Sequence, residues 1–138
     1  LIPPTATACS QITKAESEVF EAQIALDEGK FKEADQLAYH AMLLAAQTLI
    51  RTQFMDISDD PQRIVDEFRK RFYDTELFYD KYAKGKFAHY LFDRHDAPKA
   101  EPNRDDVRAI IDEAGLFIEA VHACESRLAG ATTGGVQN

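Results

Sequence analysis

From Phe31 to Ile50 the chain reads FKEADQLAYHAMLLAAQTLI, apolar at helical spacing on two opposite sides. At about 100° per residue, Ala34, Leu37, Ala38, Ala41, Leu44, Ala45 and Thr48 share one face, and Tyr39, Leu43, Ala46 and Ile50 the other. A helix that is apolar on both sides must be covered on both sides. Only a narrow stripe of Glu33, Gln36, His40, Gln47 and Arg51 is left for water, so this is the expected central helix of a helical domain. Before it, Ile12, Ala15, Val19, Ala22 and Leu26 recur at three- and four-residue steps, with Phe20 beside the stripe, which predicts an amphipathic helix. Gly29 follows as its C-cap, and the short link sends the chain back as an antiparallel hairpin.

The central helix is expected to fray after Phe54, and Asp60 before Pro61 marks the next start: an N-cap acceptor, then a residue whose missing N–H costs nothing at the first position. Ile64, Val65, Phe68 and Phe72 give that third helix its apolar side. Residues 68–92 then hold nine of the fourteen aromatics, punctuated by Asp74-Thr75 and Gly85, and two short helices at about 75–82 and 86–93 are expected. Segment 93–103 has two prolines and no apolar period, which predicts a loop. Asn103 or Asp105 caps the last helix, where Val107, Ile110, Ala114, Phe117, Val121, Cys124 and Leu128 hold one face. Residues 1–10 and 130–138, small and polar without period, are expected to be tails around one domain at 11–129. No strand pattern occurs. The expected fold class is all-α, an antiparallel up-and-down four-helix bundle with one or two additional short helices.

Composition narrows the possible roles. No apolar run approaches the ~20 residues of a membrane span, and the 45% hydrophobic content is that of an ordinary soluble protein. A net charge of −8 repels polyanions and argues against nucleic acid and anionic membrane as general partners. Cys9 and Cys124 make neither a disulfide framework nor a metal pattern, so two free thiols in a reducing cytoplasm are expected. The start LIPPTATACS, without Met or the features of a signal peptide, is expected of a segment cut from a longer protein.

Candidate chemistry is sparse. Glu119 and His122 have the Glu-x-x-His spacing of di-iron bundles, but with Val121 facing the core they lie about 160° and 100° away from it, so no metal site is expected. The four histidines, His40, His89, His95 and His122, stand on separate elements, and His40 is placed to bond a neighbouring helix. Residues 63–94 carry eight of the sixteen basic side chains among the aromatics but also six acids. Such interleaving can make a nucleic-acid or nucleotide surface, with Lys84, His89, Arg94 and His95 as candidates, or simply a mixed-charge exterior. Phe78, Tyr79 and Tyr82 are more rings than two short helices readily bury, which makes them candidates for a partner surface. No phosphate loop, nucleophile elbow or Cys-x-x-Cys pair is present, and no catalytic residue is assigned.

The hairpin AQIALDEGKFKEADQLAYHAMLLAAQTLI resembles the paired helices of HEPN domains, through Gly29, Phe31, Ala34, Tyr39 and Ala41. The likeness covers about residues 12–128 and implies four helices of five in an up-down bundle, with self-association common among such bundles. Many HEPN members resemble ribonucleases that use an Arg followed four to six residues later by a His. Here Arg94 and His95 are adjacent, and the nearest analogue is Lys84 five residues before His89. FRKRFYDTELF also looks like the helical domain appended C-terminally to some sulfite or nitrite reductase-like proteins. That resemblance implies a non-catalytic accessory domain, with any sirohaem or iron–sulfur chemistry outside this segment and no cofactor within it. The expected partners are a neighbouring domain of the parent protein or a second copy, as a cytoplasmic dimer. The alternatives are a divergent HEPN ribonuclease using Lys84 and His89, or a nucleotide-binding domain with its cleft beside the aromatic segment.

Overall fold

The computed structural model describes the backbone of residues 4–53, 58–79 and 83–137 and the side chains of 11–53, 58–79 and 83–129. These residues form α1 (Pro4–Asp27), α2 (Phe31–Gln53), α3 (Pro61–Phe68), a π-helical turn (Arg69–Tyr73), α4 (Lys86–Asp96) and α5 (Arg104–Gln137), with no strand among them. The fold is all-helical. Among the described residues, no helix is long and apolar enough to cross a membrane.

Gly29 closes α1 as its position in the sequence implies. It has φ +79, its N–H donates to the Leu26 carbonyl at 3.0 Å, and the Lys30 N–H reaches the Ala25 carbonyl at 2.8 Å. This is the paired bonding of a Schellman cap, which satisfies carbonyls that a helix end otherwise leaves open. The chain then reverses. Thr48 bonds Gln11 at 2.9 Å and His40 bonds Glu18 at 2.7 Å, so residues early in α1 face residues late in α2 and the two run antiparallel.

Helix α2 is central, packing against α1, α3, α4 and α5. Ala34, Ala38, Ala41, Ala45 and Ala46 are completely buried, which lets neighbouring backbones approach closely. Replacing Ala41 with Leu should overpack the contact and cost about 1–3 kcal/mol, read as a lower urea midpoint at unchanged slope. Gln47, expected on the solvent stripe, is buried instead. Its amide donates to the Ser58 carbonyl at 3.1 Å and to Asp59 Oδ1 at 2.8 Å, so the segment before α3 folds over it.

Both later helix starts are capped by residues next to them in sequence. Asp60 accepts from the Arg63 N–H at 3.1 Å with Pro61 in the first turn of α3. At α5, Asn103 Oδ1 accepts from the Asp106 N–H at 2.8 Å while Asp106 Oδ2 accepts from the Asn103 N–H at 3.0 Å, a reciprocal capping box. Lys99 Nζ lies 2.6 Å from Asp106 Oδ1. The Lys99 hydrogen bond first, and the Asn103 N–H second, hold the Asp106 carboxyl below its ordinary value. A folded value below the unfolded one means the contribution is complete above about pH 4 and is lost as pH falls through the folded value. Amide exchange in the first turn of α5 should therefore accelerate below that pH in the wild type, and in Asp106→Asn this acid-dependent step should be missing.

Several boundaries differ from those expected. The proposed tails are helical over 4–10 and 130–137. Pro4 is tolerated at the very start of a helix. At the other end, the glycines lower helix propensity by only about 1 kcal/mol each, and extending a helix is far easier than nucleating one. Helix α4 runs to Asp96, three residues past its expected end, which places Arg94 and His95 in its last turn.

The expected helix at 75–82 is not formed over its described part. Residues 74–78 are turns and bends, and Glu76 stands at φ +61, a left-handed conformation that ends a right-handed helix. Upstream, the ladder widens to a π turn in which the Asp74 N–H bonds the Arg69 carbonyl at 2.8 Å. Both Phe68 and Phe72 are thereby completely buried. The Phe78 N–H then bonds back to the Phe72 carbonyl at 2.9 Å. That return carries the Phe78 ring inward, 5.0 Å from Phe68 and 5.5 Å from Phe117 between centroids.

Candidate functional site

The four basic candidates from the sequence fall into three separate environments. Arg94 and His95 meet α2, where Asp35 and Tyr39 stand one turn apart. The Arg94 guanidinium grips Asp35 with Nη2 at 2.7 Å and Nε at 3.1 Å from Oδ2, and lies 4.4 Å from the centroid of the Tyr39 ring. Only 14% of the arginine side chain and 9% of the aspartate are exposed, so this is a largely desolvated ion pair. Beside it, the Tyr39 hydroxyl is 2.6 Å from His95 Nδ1 and His95 Nε2 is 2.9 Å from Gln62 Oε1.

Hydrogen-bond logic assigns the tautomer of His95. The Gln62 oxygen can only accept, which puts the ring proton on Nε2 and leaves Nδ1 to accept from Tyr39. Burial raises the Tyr39 phenol above its ordinary value, against the opposing pull of Arg94, and keeps it a donor. With the Gln62 amide donating to Asp66 Oδ1 at 2.9 Å, the cluster is a closed chain from α2 through α4 to α3. Its groups hold helices together. Neither His95 nitrogen is left to take a proton from a substrate.

His89 lies in a second environment, the ring cluster at the π turn. The Tyr73 hydroxyl is 2.8 Å from its Nε2, and its ring sits edge-on to Phe92 at 5.7 Å. Gly85 makes room for this arrangement: a Cβ there would meet Tyr73 Cε1 at 2.8 Å. Lys84, five residues before His89 in sequence, lines a third environment.

That third environment is a shallow notch between the start of α4 and the outer side of α5. Lys84 and Arg127 flank it, the Tyr79 and Phe87 rings line it, and Ala120 and Ala123 of α5 leave it open. It has room for about one water molecule, too little for a substrate. Lys84 is held at φ +56, an uncommon conformation for a residue with a Cβ. Arg127 Nη2 donates to the Leu77 carbonyl at 3.3 Å, an oxygen that also accepts from the Cys124 thiol at 3.2 Å. Burial raises the Cys124 thiol, so it stays protonated and unreactive.

The three interface candidates also part company. Phe78 is a core residue at 3% exposure and does not belong to a surface patch. Tyr79 is exposed beside it, and Tyr82 lies outside the described residues. The most exposed large apolar side chain among the described residues is Phe20, at 67%, with Ile24 at 44% one turn further along α1. The sequence carried that signal, since neither residue belongs to the stripe from Ile12 to Leu26. Arg127 and Asp35 were not legible in this way, because their partners are 50 and 59 positions distant.

Glu119 and His122 are both exposed, and no group of three metal-ligating side chains gathers among the described residues. No family model matches this chain, and no curated protein matches it.

Proposed function

We propose that this segment is a non-catalytic helical accessory domain, HEPN-like with an up-and-down four-helix bundle, that binds a neighbouring domain of a larger cytoplasmic protein or a second copy of itself. The observation that carries the reading is the commitment of Arg94 and His95 to Asp35, Tyr39 and Gln62. A ribonuclease needs a base with a free nitrogen beside a cation that faces the scissile phosphate. Here Arg94 and His95 tie α4 to α2 and α3, which is the work of a scaffold. Exposed Phe20 and Ile24 on α1 support the interaction side of the reading. A parent enzyme of the sulfite or nitrite reductase-like kind, with its cofactors in other domains, fits the same proposal.

Incubation of the purified chain with a mixed RNA pool tests the non-catalytic part, and the RNA is expected to survive intact. Cleavage that disappears in His89→Ala, with the fold unchanged, would overturn the proposal in favour of a ribonuclease centred on Lys84 and His89.

A further inference from the structure

We propose that the notch between α4 and α5 receives the Phe20–Ile24 face of α1 from a second copy of this chain. The inference deepens the interaction reading by naming both surfaces and the partner. Two faces of one molecule carry it, and they are opposite in charge.

The first face is the outer side of α1. Phe20 and Ile24 are one turn apart, so their side chains are neighbours on the helix surface. Three acids at helical spacing frame them: Glu16 four positions before Phe20, and Glu21 and Asp27 three positions either side of Ile24, all exposed. The second face is the notch, with exposed Tyr79, half-buried Phe87 and the open alanines of α5. Its flanking cations, Lys84 and Arg127, have no ion-pair partner among the described residues. Both cations stand beside the Tyr79 and Phe87 rings. An apolar pair framed by carboxylates is what they fit.

The partner must be another molecule. Helix α1 turns its opposite side, with Ala15, Ala22 and Leu26, into its own core, so Phe20 and Ile24 point away from the α5 of the same chain. The notch is shallow, with room for about one water, so the α1 face lies across its rim against the Tyr79 and Phe87 rings and does not insert into it. Burying those rings and the apolar pair supplies affinity, while Lys84 and Arg127 against Glu16, Glu21 and Asp27 set the orientation. Each chain carries both faces, so the contact is made twice in a closed dimer or repeats along an open assembly.

The experiment is light scattering on two complementary variants. Phe20→Ser with Ile24→Ser spoils the α1 face, and Lys84→Glu with Arg127→Glu spoils the notch. At micromolar concentration and low salt the wild type should exceed the mass of one chain, 15.5 kDa, and high salt should lower that mass. Each variant alone should fall to one chain with helix content unchanged. Mixed in equal amounts they should regain a two-chain species, because one intact α1 face still meets one intact notch. If the notch double variant loses helix content, Lys84→Glu alone is read in the same way. A monomeric wild type, a variant that still associates, or a mixture that stays monomeric each overturns the pairing. A failure here is separable from failure of the accessory-domain reading, which the RNA experiment decides.

Discussion

Arg94→Leu should destabilise the chain by about 3–5 kcal/mol, the usual consequence of removing one partner of a buried ion pair. All the hydrogen bonds described for the Asp35 carboxylate come from Arg94, and the side chain is 9% exposed. Without the guanidinium, that carboxylate stays desolvated with nothing to compensate it. The Tyr39 ring also loses the cation at 4.4 Å from its centroid. The reverse change, Asp35→Leu, should cost less, because Arg94 keeps the Tyr39 ring and its longer side chain can reach toward water. Most informative is the double variant Asp35→Leu with Arg94→Leu. It should recover much of the loss, since replacing both members by apolar residues removes the desolvation penalty along with the attraction. Urea midpoints of the four proteins check this, and a double variant no better than Arg94→Leu would mean that the pair acts through the Tyr39 and His95 network instead.

The second large effect is at Phe78. Truncation to Ala should cost about 3–5 kcal/mol, in the range of deleting a core aromatic ring. The ring is 3% exposed and sits edge-on to Phe68 at 5.0 Å while tilted against Phe117 at 5.5 Å. Those two rings also face each other at 5.6 Å, so the loss opens a cavity among side chains that have little freedom to collapse into it. Tyr79→Ala, one residue further on and exposed, should change stability by less than about 0.5 kcal/mol. Thermal melts of the two variants separate a core ring from a surface ring at adjacent positions. Equal melting temperatures would place Phe78 at the surface and return it to the interface.

Neighbouring residues in sequence settled a good deal of this molecule. The Schellman cap at Gly29, the Asp60-Pro61 start and the Asn103–Asp106 box each involve groups within five positions of one another, so the residues that make them announce them. Helical period did the same for the all-helical fold and for the burial of Ala34, Ala38, Ala41 and Ala45, because a side chain's direction on a helix follows from its position alone.

Tertiary structure decided the rest, and for one physical reason: burial, hydrogen bonds and ion pairs form between residues whose separation in sequence carries no period. Gln47 looks solvent-facing on the α2 wheel and is buried because residues 58 and 59 supply its acceptors. Phe78 looks like one ring too many for a short helix. It is core because the Glu76 turn aims it between α3 and α5. Arg94 and His95 suggest a nucleic-acid site when read as a pair of residues, yet their chemistry is used up by Asp35, Tyr39 and Gln62, residues 59, 56 and 33 positions away. Lys84, just before α4, and Arg127 on α5 were brought to one notch by packing α4 on α5, and no local pattern joins residues 43 positions apart.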